Sequence, residues 1–150
     1  MRFGLSVNMD VPDATRMARK ALELLQGKEV ILEAPIAARL KQTGVPVEEM
    51  DVDLLVTIGG DGTILRALQQ TRAPIFGINA GDLGFLTAVG EDEMEEGFEN
   101  IFSGQYSIDT RIKMRTTVGK LRLPDATNET VVHTAHIAKI RHFQVNVDGE

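Results

Sequence analysis

The sequence predicts an α/β fold in which a doubly wound, parallel sheet is followed by a β-rich segment. Strand-like apolar segments alternate with segments of helical spacing from residue 1 to about 104, which is the pattern of a parallel sheet with crossover helices. The run Asp53–Ile58 (DLLVTI) is bounded by a charge and two glycines, as in a strand buried on both faces. After Gly104 the helical spacing disappears. We therefore predict an α/β domain over residues 1–104 and the first strands of a β-rich domain over 105–150.

The first region is predicted to alternate strands and helices along the chain. The strands are short apolar or alternating runs, and the helices repeat apolar residues every three or four positions. Gly27 and Gly44 follow two of the helices, where glycine commonly ends a helix. The predicted strands are Met1–Val7, Glu29–Leu32, Asp53–Ile58 and Pro74–Ile78, and the predicted helices are Met17–Leu25, Ala37–Thr43, Ile64–Gln70 and Glu91–Phe102.

The second region has the period of two that is typical of strands. Ile112 and Met114 alternate with charged residues, and Leu121 and Leu123 do the same. This pattern predicts strands around residues 108–115, around 120–123, at Val131–His133 and at His142–Val147.

Composition restricts the partners and the location of the protein. The 150 residues carry 22 acidic and 16 basic side chains, and the net charge of −6 disfavours a nucleic-acid partner. Cysteine is absent, which excludes disulfides and thiolate metal sites. No apolar run approaches the roughly 18 residues of a membrane span, and no signal-peptide pattern opens the sequence. We therefore expect a cytoplasmic protein without a membrane partner.

The most informative stretch joins a predicted buried strand to a predicted helix through three glycines, and reads Thr57-Ile58-Gly59-Gly60-Asp61-Gly62-Thr63. Glycines let a backbone approach a phosphate closely, and the N–H groups of a first helical turn point at it. Asp61 is unusual there, because a carboxylate repels phosphate unless it binds a bridging metal ion or accepts a proton from an attacking hydroxyl. The alternative is that Asp61-Gly62 is only a hairpin turn, which the flanking helical spacing disfavours.

A second glycine-rich stretch follows the next predicted strand and reads GINAGDLGFLT from Gly77 to Thr87. Ligands bind at strand ends in open parallel sheets, so the two stretches are predicted to line one crevice. The alternative is a structural turn that packs Phe85 and Leu86 into the core.

These motifs together resemble the NAD kinases. GGDGT alone also occurs in diacylglycerol and sphingosine kinases and in 6-phosphofructokinases. Continued as x-L-R-A and followed by G-[IV]-N-x-G-x-L-G-F-L-T, it is similar to the NAD kinases in particular, and Asn128-Glu129 ahead of Val131 matches that family's Asn-Glu pair. The resemblance spans nearly the whole chain. It implies a Rossmann-like α/β domain followed by a β-rich sandwich domain.

The resemblance also implies a reaction and its ligands. The family transfers a phosphoryl group from ATP, or from polyphosphate in some members, to the 2′-hydroxyl of the adenosine ribose of NAD, which makes NADP. NAD and ATP are therefore the expected ligands, and Mg²⁺ or another divalent cation is the expected cofactor. A homo-oligomer, either a dimer or a tetramer, is the expected assembly.

Family roles can be carried over to individual positions of the sequence. Asp61 would be the catalytic residue that orients the ribose hydroxyl and accepts its proton, and we expect Asp61→Asn to keep dinucleotide binding while abolishing phosphorylation. The backbone of Gly59 and Gly60, with Thr63, would hold phosphate oxygens. The other nucleotide-binding or NAD-binding candidates are Gly62, Arg66, Asn79, Asn128, Glu129 and Lys139.

Some of the candidate residues also have simpler interpretations. Arg66 and Lys139 are otherwise ordinary surface charges. His133, His136 and His142 are close in sequence, but His133 and His136 would point to opposite faces of a strand. We therefore expect no metal site at these histidines, and the sequence identifies no side chain as a metal ligand.

Two other functions stay open at the level of sequence. A lipid kinase of the diacylglycerol type has a similar loop, but residues 79–87 do not support it. The other alternative is a nucleotide-binding fragment without catalysis, because the family's T-P-T-G-S-T-A-Y stretch would follow Glu150, where the sequence stops. We accordingly expect the 150-residue chain to be catalytically silent or nearly so.

Overall fold

A computed structural model describes residues 1–81, 84–135 and 140–149 of the chain. The chain forms two compact units, Met1–Ile112 and Lys113–Glu150. The predicted domains, residues 1–104 and 105–150, divide the chain at an earlier point and stay a prediction. Within the described ranges, no helix has both the length and the apolar character that a membrane crossing requires.

The first unit is built on a four-stranded parallel sheet with the strand order β2-β1-β3-β4. Its strands are β1 (Arg2–Val7), β2 (Glu29–Leu32), β3 (Leu54–Gly59) and β4 (Ile75–Asn79). Its α-helices are α1 (Ala14–Leu24), α2 (Ala34–Leu40), α3 (Asp61–Gln70) and α4 (Met94–Ser103), and a short 3-10 helix spans Val47–Glu49. The predicted α/β fold with a parallel sheet is confirmed.

The central strand β3 is buried on both of its faces. Val56 and Ile58 belong to a core that includes Met17 of α1, whereas Leu55 packs in a separate cluster with Ala67 of α3. Successive side chains of a strand point to opposite faces, so helices cover the sheet on both sides. This two-sided burial is what the apolar run of β3 predicts.

The helices begin at other residues than their apolar spacing predicts. Helix α2 begins at Ala34 rather than Ala37, with a proline in its first turn, and Lys41 in the left-handed conformation ends it before Thr43. Proline suits a first turn because the N–H that it lacks would have no partner there. Polar or proline-containing first turns lie outside an apolar repeat, which explains the late predicted starts of α1, α2 and α3. Helix α4 differs, because it begins at Met94, after the predicted Glu91.

The second unit has little regular structure over residues 113–135 and 140–149. Strands β5 (Thr117–Val118) and β6 (Leu121–Arg122) form an antiparallel hairpin, and Met114 pairs with Ala126 in an isolated bridge. The predicted strands at Val131–His133 and His142–Val147 are not found. A strand needs a partner strand and a packed face, and the large apolar side chains of these segments are exposed.

Candidate nucleotide-binding site

The first glycine-rich stretch lies at the carboxyl edge of the parallel sheet. Strands β1, β3 and β4 pair in parallel, so they end at the same edge. Gly60 precedes α3, and Asp61 is the first residue of that helix. The hairpin interpretation of Asp61-Gly62 is therefore wrong. Ligands of open parallel sheets bind in the crevice at this edge.

The three glycines of this stretch differ in their surroundings. Gly59 has a φ of 154°, and a Cβ built on it would lie 2.3 Å from the Thr63 Oγ1 atom. The chain therefore needs glycine at this position in order to fold. A Cβ on Gly60 or Gly62 would meet no atom of the described chain within 4 Å. The space in front of these two glycines is open, as a phosphate-binding loop requires.

The first turn of α3 presents unpaired backbone donors to this open space. The N-cap residue of the helix is Gly60, which has no side chain that could cap it. The N–H groups of Asp61 and Gly62 donate to no acceptor in the described part of the chain. The N–H of Thr63 is already bonded to the Gly60 carbonyl, with an N–O distance of 2.9 Å. Free N–H groups and the positive end of the helix dipole favour an anion. Thr63 itself is buried, and its hydroxyl lies against Gly59.

The Asp61 carboxylate faces the second glycine-rich loop. Its Oδ2 atom accepts a hydrogen bond from the Phe85 N–H at 2.9 Å, and its Oδ1 atom accepts one from the Leu86 N–H at 3.0 Å. The hydrogen bonds from the backbone of Leu86, and then of Phe85, lower the pKa of Asp61 below its ordinary value. The positive charge of Arg111 acts in the same direction, and these effects outweigh partial desolvation. The carboxylate is therefore charged at neutral pH.

Asn79, at the end of β4, organises the second loop. Its Oδ1 atom accepts a hydrogen bond from the Gly81 N–H at 2.9 Å, and its Nδ2 atom donates to the Thr87 Oγ1 atom at 3.3 Å. The Asn79 side chain is buried, and these two hydrogen bonds hold the backbone of Gly81 and the side chain of Thr87 in place. The alternative in which Phe85 packs into the core is wrong, because Phe85 is 95% exposed.

Arg66 binds a carboxylate that the sequence did not reveal as its partner. Its guanidinium donates to both oxygens of Glu33, at 3.0 and 3.2 Å, and to the Ser6 hydroxyl at 3.1 Å. The Ser6 hydroxyl in turn donates to Glu33 at 2.6 Å. Ser6 and Glu33 are buried. Arg66 therefore joins α3 to the ends of β1 and β2 through a guanidinium that stays partly exposed, and its contact with a nucleotide stays a prediction.

The remaining candidates lie in the second unit. Asn128 and Glu129 are exposed there. Lys139 and His136 lie outside the described residues. Within the ranges that the structure describes, no group of three or more His, Asp or Glu side chains is arranged to hold a metal ion.

Sequence reasoning missed two features of this site. One is the buried Glu33, whose only signal was a charge directly after the apolar run of β2. The other is the use of backbone N–H groups of Phe85 and Leu86 as partners of Asp61. Every residue except proline has a backbone N–H, so no pattern of side chains could have indicated these two.

The fold and the site together define an α/β domain with a glycine-rich loop between a buried central strand and a helix. Residues 6–106 match the family model described as the ATP-NAD kinase N-terminal domain. The chain is 37% identical to an NAD kinase of Thermoplasma acidophilum, over 99% of this chain and 55% of the relative. It is 40% identical to an NAD kinase of Thermococcus kodakarensis, over 99% of this chain and 57% of the relative. This chain belongs to the NAD kinase family.

Two solved structures are similar to this chain in fold. A yeast NADH kinase complexed with NADH has the same fold, with a TM-score of 0.71 and 19% identity over 85% of this chain and 47% of that one. An NAD kinase from Archaeoglobus fulgidus in complex with ATP matches with a TM-score of 0.51 and 29% identity, over 77% of this chain and 41% of that one. The chain thus spans about half the length of the curated relatives that it matches.

Proposed function

We propose that this chain carries the nucleotide-binding part of an enzyme that transfers a phosphoryl group from ATP to the 2′-hydroxyl of the adenosine ribose of NAD. The observation that carries the proposal is the loop from Gly59 to Gly62, which combines open space, unpaired backbone N–H groups and a carboxylate at the carboxyl edge of a parallel sheet. The names of the relatives, and the NADH and ATP bound in the two solved structures, support it.

Asp61 is proposed to orient the ribose hydroxyl and to accept its proton. An ordinary Asp has a pKa of about 3.9, and the hydrogen bonds from Leu86 and Phe85 lower the pKa of Asp61 further. Such a carboxylate is a weak base. It suffices when the transition state of phosphoryl transfer is loose, because the proton then leaves late and positioning dominates the catalysis.

Phosphate oxygens are proposed to bind at the first turn of α3. The donors are the N–H groups of Asp61 and Gly62, and Gly60 lets the backbone approach them. We also propose that Asn79 supports the wall of this site, whereas Asn128 and Glu129 contact the dinucleotide. For Arg66, the bidentate bond to Glu33 favours a role in holding α3 over a direct phosphate contact.

A divalent cation such as Mg²⁺ fits the residues at this edge. Mg²⁺ usually takes one or two carboxylates and completes its shell with phosphates and water. Asp61 supplies one carboxylate, and its two oxygens keep acceptor capacity beyond the two N–H groups that they bind. When bound, the ion would neutralise charge on the transferred phosphate.

We propose a cytoplasmic homo-oligomer as the form of the protein. Large apolar side chains are exposed along the second unit, for example Val118, Val132 and Val145. Exposed apolar patches mark interfaces. Association with a second copy would cover them.

A pair of glycine substitutions tests the phosphate loop. Gly60→Ala and Gly62→Ala place a methyl group in open space, so neither should weaken folding, and Gly62→Ala in a helix should stabilise it slightly. Both should weaken ATP and NAD binding by about tenfold, because the methyl group keeps phosphate away from the backbone. Calorimetric titration of the 150-residue chain measures this.

Gly90→Ala is the matched control, because its Cβ meets only an ordinary contact at 3.7 Å from Glu93. Unchanged nucleotide affinity in both loop variants would show that the loop does not bind phosphate.

Turnover assays separate the alternative functions. The 150-residue chain is incubated with ATP and Mg²⁺ and either NAD or diacylglycerol. We expect NAD binding with little or no NADP formation by this chain, and no lipid phosphorylation. Lipid phosphorylation would favour the lipid kinase, and absence of any NAD or ATP binding would contradict the proposed function.

A further inference from the structure

The Asp61 carboxylate is the point where the two glycine-rich loops of the first unit meet. Each of its oxygens accepts one backbone N–H, from Phe85 and from Leu86. Hydrogen bonds to a charged acceptor are about twice as strong as neutral ones. Both bonds cross from the start of α3 to the loop that follows β4, so one side chain joins two separate segments.

Gly84 shows how closely this loop approaches the carboxylate. A Cβ at Gly84 would lie 2.1 Å from the Asp61 Oδ1 atom and 2.6 Å from its Cγ atom. No side chain fits in that gap. The loop backbone therefore lies directly on the carboxylate, and only glycine at this position permits it.

Other side-chain hydrogen bonds of this loop connect it to itself and to Asn79 of β4. Phe85 is 95% exposed, so its ring contributes no burial that would fix the backbone. Thr87 accepts the Gly84 N–H at 3.2 Å, and this bond closes the loop on itself. The two bonds to Asp61 thus attach the backbone of Phe85 and Leu86 directly to α3.

We propose that Asp61 is also a positioning residue, whose carboxylate holds residues 84–87 beside the first turn of α3 and so forms one wall of the nucleotide site. Only the claim that this loop is a wall of the nucleotide site rests on the proposed function. The attachment of the loop to Asp61 does not depend on any ligand. It changes the expectation for Asp61→Asn. Replacing one oxygen by an amide nitrogen sets a donor against a backbone donor, so the loop should detach and nucleotide binding should weaken along with turnover.

The lowered pKa of Asp61 agrees with this role. A group whose pKa is lowered in the folded state contributes stability above its ordinary pKa and loses it as the pH falls through the lowered value. The attachment is therefore complete at neutral pH. Arg111 is the charged group that favours the same ionised form.

The test uses the 150-residue chain with Asp61→Asn and Gly84→Ala as parallel variants. Gly84→Ala keeps the carboxylate but removes the room for the loop. Amide hydrogen exchange at Phe85 and Leu86, measured by NMR, should accelerate by about tenfold or more in both variants. ATP affinity, measured by calorimetry, should fall in both by a similar factor. Gly81→Ala is the control for exchange, because its Cβ meets no described atom within 4 Å.

Each result decides one part of the inference. Unchanged exchange at Phe85 and Leu86 in Asp61→Asn would overturn the positioning role. Faster exchange with unaltered ATP affinity would overturn the claim that the loop is a wall of the site. If the unaltered chain binds no ATP, the proposed function fails, while the exchange data still decide whether Asp61 holds the loop.

Discussion

The two units of this chain differ in how far they bury their apolar side chains. In Met1–Ile112, the strands of the parallel sheet and the inner faces of the helices are buried, and Val56 at the centre is 0% exposed. In Lys113–Glu150, valines of similar spacing are exposed, and Val145 is 78% exposed. Burial of apolar surface is the dominant favourable term in folding. The first unit therefore has its own source of stability, and the second has little.

This difference shows what an alternating sequence does and does not establish. A segment with alternating apolar residues forms a strand only when another strand pairs with it and another layer of the fold covers its apolar face. In the first unit β3 has both, with β1 and β4 as its neighbours. In the second unit the hairpin of β5 and β6 pairs two residues on each side, and its side chains remain exposed.

A matched pair of valine substitutions should give the largest contrast between the units. Val56→Ala removes buried methyl groups from the central strand, which should lower the free energy of unfolding by about 3 kcal/mol. At protein concentrations too low for copies to associate, Val145→Ala removes exposed ones, and should change it by less than about 0.5 kcal/mol. Urea unfolding of the 150-residue chain, followed by circular dichroism, measures both.

The same experiment tests association. If the loss in Val145→Ala grows with protein concentration, the second unit is covered by another copy of the chain, as proposed above. If the loss is as large as in Val56→Ala at every concentration, the contrast between the two units is wrong.

Each unit contains an ion pair, and we expect the two pairs to differ by an intermediate amount in their contribution to the free energy of unfolding. The Glu33 carboxylate is 7% exposed and accepts a bidentate bond from Arg66, which is 45% exposed, whereas Arg122 and Asp125 are 57% and 34% exposed. Arg66→Ala leaves a buried carboxylate without its cation, and should cost about 2 kcal/mol after allowance for the exposed guanidinium. Arg122→Ala should cost less than about 1 kcal/mol.

Thermal unfolding of the two arginine variants beside the unaltered chain is the measurement. Arg66→Lys is a further control, because lysine keeps the charge but not the bidentate geometry. Equal losses in Arg66→Ala and Arg122→Ala would mean that burial of Glu33 does not matter for the stability of the sheet.

Most of the first unit could be predicted from sequence because its signals are local. The run of β3 and the glycines behind it indicate a buried strand, a turn and a helix without reference to any other segment. The start of α2 could not be predicted so closely, since Pro35 lies outside the apolar repeat. The predicted strands after residue 130 failed because a strand depends on partners that a local pattern does not contain.

The candidate site was predictable in position but not in its connections. Asp61 and its glycines stand out as a motif. The Glu33 partner of Arg66 is 33 positions away, and the amides that bind Asp61 are 24 and 25 positions away. Residues so far apart in sequence become neighbours because of the order of the strands in the sheet. That order cannot be read from the local sequence pattern.

The smallest expected difference in unfolding free energy between the units concerns two glycines that both have a positive φ. Gly104, which ends α4, has a φ of 74°, and Gly119, in the hairpin turn, has a φ of 59°. At both positions a Cβ would meet no described atom within 4 Å. Alanine should therefore cost about 1 kcal/mol at either position through backbone strain alone.

The contrast lies in where that cost should appear. At Gly104 it should lower the free energy of unfolding of the first unit, because the N–H of Gln105 bonds to the Asn100 carbonyl at 2.8 Å and ties this turn to α4. At Gly119 it should leave urea unfolding unchanged, because a two-stranded hairpin with exposed side chains is marginal by itself. The local effect would appear in NMR as faster exchange of the Leu123 N–H, which bonds to the Thr116 carbonyl. If Gly119→Ala lowers the unfolding free energy as much as Gly104→Ala does, the hairpin unfolds together with the parallel sheet, and the second unit is as cooperative as the first.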